Sequence, residues 1–302
     1  MSENLPPTID PVAAARWHQA APVQSPWLHE EVGRRMEGRL QWIRRTPQRW
    51  CDWQPVRGGL QAHDAVAQRY AQATCYVVET APRMQAAAQA RWSKPWWSPD
   101  RWGGAKTVVG QPPAGSVDLL WANMLLHTQS RPEDMLQQWH QALAVDGFVM
   151  FSCLGPDTVK EMRDLYQQLG WPAAGHNLTD MHDWGDMLVH AGFAEPVMDM
   201  ETITLTFASP ERLLQELREL GCNLHPQRFA GLRGRGWLAQ LHAALGQHLR
   251  VEHSEGQLAL TFELVYGHAF KPAPRVALEG ESTVSLDQMR SMLKQGREQG
   301  LR

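Results

Sequence analysis

Between residues 48 and 152 short apolar runs alternate with stretches of helical character, and this alternation narrows the folds open to the chain more than any other feature. The runs fall at 49–53, 74–79, 107–109, 117–121 and 147–152. They are rich in β-branched and aromatic residues, as in Thr74-Cys75-Tyr76-Val77-Val78 and Gly147-Phe148-Val149-Met150-Phe151, so they read as strands. The segments 60–70, 81–91 and 132–143 between them read as helices. Strands that alternate with helices build an α/β fold: a mostly parallel sheet covered by helices on both faces.

The flanks fit around that unit. Residues 1–24 read as a flexible leader. Ser25-Pro26 then has the form of a helix start, and Leu28, Val32, Met36 and Leu40 recur every four residues as an amphipathic helix over 26–43. Beyond the alternating region, helices are expected at 158–169, 180–191, 210–220 and 237–249, with strands at 202–207 and 258–266. Residues 221–236 form an irregular, basic, glycine-rich connection. The domain spans 25–274, and 275–302 is a tail with a short helix begun at Ser285.

Composition excludes several classes. The 302 residues carry 29 basic and 32 acidic side chains, so the basic excess of a dedicated nucleic-acid binder is missing. No run of eighteen apolar residues occurs, which argues against a membrane span. Cys51, Cys75, Cys153 and Cys222 are scattered without a CxxC pair, so a disulfide framework is not expected and a cytoplasmic setting is the default.

In an open parallel sheet, ligands bind beyond the carboxyl ends of the strands. The turns there are Asp52-Trp53-Gln54-Pro55-Val56-Arg57-Gly58-Gly59 and Glu79-Thr80-Ala81-Pro82. A carboxylate at the position of Glu79 can accept hydrogen bonds from both hydroxyls of a ribose, and it can equally be a solvated strand-end acid. His182, Asp186 and His190 share one helix face, but i to i+8 spans about 12 Å at 1.5 Å per residue, too far for one metal ion. No metal is expected. Trp50, Trp53, Trp96, Trp97 and Trp102 cluster around the first turns and read as core and loop packing.

The run Ser116-Val117-Asp118-Leu119-Leu120-Trp121-Ala122-Asn123-Met124-Leu125-Leu126-His127 resembles the fourth strand of S-adenosylmethionine-dependent methyltransferases with a Rossmann-like fold. Phe151-Ser152-Cys153-Leu154-Gly155-Pro156-Asp157-Thr158, Asp180-Met181-His182-Asp183-Trp184-Gly185-Asp186 and Tyr266-Gly267-His268-Ala269-Phe270-Lys271-Pro272 are similar to one branch, the malonyl-acyl-carrier-protein O-methyltransferases of biotin synthesis. The resemblance implies a mainly parallel sheet with an antiparallel last strand, S-adenosylmethionine as cofactor and acyl carrier protein as partner. It implies that Asp52 starts the cofactor loop, that Gly58 and Gly59 hold its end and that Glu79 takes the ribose. It sets Gln111 near the adenine and Asn123 and Met124 beside the methionine portion.

One departure stands out. Where the family loop has glycines, this chain has Gln54 and Val56. Glycine there admits positive φ and a close cofactor, whereas a left-handed valine is strained, and Pro55 fixes one φ and removes an N–H. The loop must take another path or narrow the pocket. A non-catalytic binding or assembly protein is therefore the rival reading, and a related branch of arginine-hydroxylating assembly factors adds a third. Residues 209–250 correspond to the family's substrate lid. Arg228, Arg233 and Arg235 within it read either as a solvated surface or as a docking patch for an acidic carrier.

Overall fold

The computed structural model describes residues 9–93, 106–251 and 256–274. Contacts divide the chain into one unit over 1–272 and a second over 273–302. The first unit holds the strands β1 (Arg49–Trp53), β2 (Thr74–Val78), β3 (Thr107–Val109), β4 (Val117–Ala122), β5 (Leu143–Leu154), β6 (Ala194–Phe207) and β7 (Leu258–Phe270). Its helices are α1 (Pro11–Ala20), α2 (Trp27–Arg39), α3 (Pro55–Gly58), α4 (Leu60–Arg69), α5 (Pro82–Trp92), α6 (Pro132–Ala142), α7 (Lys160–Gln168), α8 (Met181–His190), α9 (Pro210–Leu220) and α10 (Arg235–His248).

The sheet order is β3-β2-β1-β4-β5-β7-β6. The pairs among β1 to β5 are parallel, and β7 runs antiparallel to both β5 and β6. The expected Rossmann-like sheet with an antiparallel last strand is thus present. Alternation along the central strands explains its two faces. Leu119, Trp121, Phe148 and Met150 pack into one apolar cluster, and Leu120, Ala122, Val149 and Phe151 into another on the opposite face.

Two expectations are corrected. The leader is not loose throughout: α1 lies within it, capped by the Asp10 carboxylate accepting from Val12 and Ala13 N–H groups. Its pattern was missed because only Ala13 and Ala14 of the helix are buried, in a small cluster with Leu224, so the sequence carries little periodicity. The following helix starts at Trp27 rather than Pro26, because Pro26 is its cap and the Ser25 hydroxyl instead bonds the Glu30 carboxylate. The tail helix at Ser285 and Trp96, Trp97 and Trp102 lie outside the described residues.

Candidate functional site

The carboxyl ends of β1, β2, β4 and β5 lie on one edge of the sheet, where residues of α1, α2, α9 and α10 line the adjoining cavities. The loop after β1 solves its missing glycines locally. Gln54 takes the left-handed conformation, at φ 63°, at a cost of about 1–2 kcal/mol. Its N–H donates to Val78 O at 2.7 Å and its side chain to Thr80 Oγ1 at 3.1 Å. Pro55 then opens a single helical turn, a position that suits its fixed φ. Val56 sits inside this turn and avoids the left-handed region altogether. The loop therefore does follow another path.

That path uses up backbone donors. Val56 N–H donates to Glu79 Oε1 at 2.9 Å. The first N–H groups of α4, from Leu60, Gln61 and Ala62, donate to the Glu30 carboxylate of α2 at 2.9, 3.0 and 3.3 Å. A helix N-terminus attracts an anion, and here the chain provides one itself.

Glu79 lies at the end of β2 as expected. It is buried, and that burial pushes its carboxyl up to about 8. It lines a cavity of about 40 Å³ together with Trp17, Gln54, Arg57, Met84 and Met124. Met124, at φ 54°, is held by its N–H to Ser152. Other expected site residues stand back from this chamber. Asp52 is buried beneath the loop and bonds His63 Nδ1 at 2.8 Å. The Asn123 amide donates to His29 O and Gly58 O and accepts from the Ser152 hydroxyl at 2.6 Å, so its polar atoms tie α2, the loop and β5 together. Gly58 lets Asn123 approach, since a Cβ there would meet its carbonyl at 3.1 Å, and Gly59 adopts φ 139°. Gln111 is exposed after β3 and lines none of the cavities described here.

Two larger hollows adjoin the chamber. One of about 450 Å³ shares the walls Trp17, His29, His127 and Leu220, and is otherwise lined mainly by apolar residues of α7, α9 and α10, among them Met162, Leu217 and Leu241. The other, of about 320 Å³, shares His18, Gln54 and Ala81. His29 and His127 are buried and kept neutral by desolvation. Neither histidine nor Arg57 was singled out from the sequence. They lack any shared spacing and meet only through the fold.

No family model matches the chain. Curated relatives do. It is 36% identical over 271 residues to the malonyl-[acyl-carrier protein] O-methyltransferase of Gallionella capsiferriformans, covering 85% of this chain and 88% of that one. With the enzyme of the same name from Laribacter hongkongensis it shares 35% over 277 residues, covering 87% of each. The chain belongs to that family. The YcgJ protein of Bacillus subtilis shares the fold, with a TM-score of 0.51 at 12% identity over 79% of this chain and 99% of that one.

Membership of the malonyl-[acyl-carrier protein] O-methyltransferase family identifies the chain as a methyltransferase and makes S-adenosylmethionine the cofactor to fit. The polar chemistry suits it: Glu79 keeps one carboxylate oxygen without a partner among the described residues. The room is tighter. Small-molecule pockets measure roughly 300–1,000 Å³, and this chamber would hold only a few waters. It shares Trp17, His29, His127 and Leu220 with one adjoining hollow and His18, Gln54 and Ala81 with the other. The residues suit the nucleoside's polar groups, and seating it requires the chamber to open into those spaces.

Arg228 and Arg233 have partners. Arg228 pairs with Asp10 at 2.6 Å, fastening the start of α1 to the connection between α9 and α10. The Arg233 guanidinium lies 4.0 Å from the Trp237 ring centre and 4.6 Å from that of Phe229. Arg235 is exposed, near the fully exposed Leu232. Among the described residues no helix is long and apolar enough to cross a membrane, and no cluster could hold a metal ion.

Proposed function

We propose that this chain transfers a methyl group from S-adenosylmethionine to the free carboxylate of a malonyl thioester on acyl carrier protein. The observation that carries the reading is the pair of adjoining spaces: a polar chamber at Glu79 and, across the wall of Trp17, His29 and His127, an apolar cavity of about 450 Å³ suited to a thioester arm.

Glu79 would take the ribose hydroxyls, with Met84 and Met124 against the nucleoside and Gln111 on the adenine side. Gly58 and Gly59 would keep the loop close. Asp52 and Asn123 would act from behind, holding the loop and β4 in register. When bound, S-adenosylmethionine supplies an electrophilic methyl group. The acceptor is already ionised at neutral pH, well above a typical carboxyl pKa of about 4, so no general base is required. The protein's contribution is alignment and exclusion of water by α1 and the lid helices.

Arg235, with Arg233 and the exposed apolar Leu232, would form the docking patch for the acidic carrier, because complementary charge steers encounter. A cytoplasmic setting accompanies this reading, with all four cysteines free.

The test is transfer of labelled methyl from S-adenosylmethionine to malonyl-acyl carrier protein, read as the mass of one methyl ester on the malonyl group. Arg233→Glu/Arg235→Glu should slow transfer to the carrier-bound substrate and spare a malonyl thioester lacking the carrier. Absence of any ester at saturating cofactor would contradict this reading.

A further inference from the structure

The functional reading leaves Arg57 unused, although it lines the chamber beside Glu79. Its guanidinium donates to the carbonyls of Gln24, Glu219 and Leu220 at 2.8, 2.7 and 3.3 Å. It also lies 5.6 Å from the Trp17 ring centre. These carbonyls fix the group without neutralising it. Among the described residues no carboxylate forms an ion pair with it, and the charge of Glu219, whose carbonyl it bonds, favours it only in part against burial. Burial lowers it to about 10, which leaves a cation at neutral pH. A partly buried cation without a counter-ion is costly unless a ligand supplies the charge.

The surrounding backbone shows what is missing. A turn that leads into a helix N-terminus ordinarily presents free N–H groups to an anion. Here Val56 N–H is committed to Glu79, and the first N–H groups of α4 to Glu30. Those of Gly58 and Gly59 donate to Gln54 O and Pro55 O, each at 2.9 Å. An amino-acid carboxylate entering the chamber would find these backbone donors taken. Arg57 keeps two of its five N–H donors beyond the three carbonyl bonds.

We propose that Arg57 is the anchor for the amino-acid carboxylate of the S-adenosyl nucleoside, a side-chain cation replacing the backbone donors that Glu30 and Glu79 have taken. The inference rests on the methyl-transfer reading and adds to it the group that selects an amino-acid-bearing nucleoside.

Calorimetric titration of the full-length chain tests it without turnover. The two probes are S-adenosylhomocysteine and its decarboxylated analogue S-adenosyl-3-thiopropylamine. Wild type should prefer S-adenosylhomocysteine by about tenfold or more, the scale of one charge-assisted contact. Arg57→Met should erase that preference and leave affinity for the decarboxylated analogue unchanged, whereas Arg57→Lys should retain part of it. If Arg57→Met does not fold, as judged by its melting transition, a reduced preference in Arg57→Lys carries the test. An undiminished preference in the variants overturns the proposal. So does tighter binding of both nucleosides by Arg57→Met, which would make Arg57 a latch that closes the chamber. A wild-type chain that binds neither probe overturns the functional reading along with it.

Discussion

The two spaces on the carboxyl edge of the sheet are built in opposite ways. The apolar cavity under α7, α9 and α10 is open at about 450 Å³ and walled by leucine, methionine and aromatic side chains, with few groups whose charge matters. The chamber at Glu79 is shut down to about 40 Å³, and the backbone donors of its loop are largely taken by Glu79, Glu30 and the loop's own carbonyls. Apolar walls tolerate emptiness at modest cost, because a dry or loosely filled hollow leaves no polar atom unpaired. A polar chamber cannot be left open so cheaply, so it is narrow and its backbone donors find internal partners. The open space is thus ready for an acyl arm, while the polar one must rearrange to admit a nucleoside.

The largest expected effect breaks the polar half at Glu79. Burial pushes its carboxyl up to about 8 in the folded chain, against the ordinary 4.5 of an exposed glutamate when unfolded. Between those values the unfolded chain gives up a proton that the folded chain keeps, so stability falls as pH rises and levels off above 8. Glu79→Gln removes this penalty. Relative to wild type it should gain about 3 kcal/mol in denaturant unfolding between pH 5 and pH 9, and a flat difference across that range would contradict the burial argument.

Next comes Glu30, which sharpens the claim that the chamber's donors are internally satisfied. Glu30→Ala strands the first N–H groups of α4 and should cost about 2 kcal/mol of unfolding free energy, with the loss read at pH 7. A change within 0.5 kcal/mol, about the scale of an ordinary surface substitution, would show that water replaces it freely.

The smallest effect belongs to the apolar half. Leu217→Trp should fill part of the cavity, raise KM for the carrier-bound substrate by about three- to tenfold, and leave stability within about 1 kcal/mol. An equal loss of S-adenosylhomocysteine affinity would mean that the two spaces are not separate in use.

The sheet was largely legible before its coordinates. Residues 107–109, 117–121 and 147–152 are short apolar runs rich in β-branched and aromatic residues, the mark of strands covered on both faces. The strand ends were less so: β5 begins at Leu143 and β6 at Ala194, where exposed residues weaken the apolar pattern. Glu79 could be read from its position after β2. The path of Gln54-Pro55-Val56 could be read only as a necessity, since nothing local specifies a helical turn donating to Glu79. Glu30, Arg57, His29 and His127 were illegible for a different reason. Their roles come from contacts between α2, the loop and the strand ends, separated by tens of residues, and no spacing along the chain announces them.

The most direct measurement is a titration of S-adenosylhomocysteine into the full-length chain and into Glu79→Ala. If the chamber opens to seat a nucleoside on Glu79, wild type shows saturable micromolar binding and the variant loses at least about tenfold in affinity. A wild-type chain with no saturable heat at millimolar ligand, or a variant that binds equally well, would contradict that account.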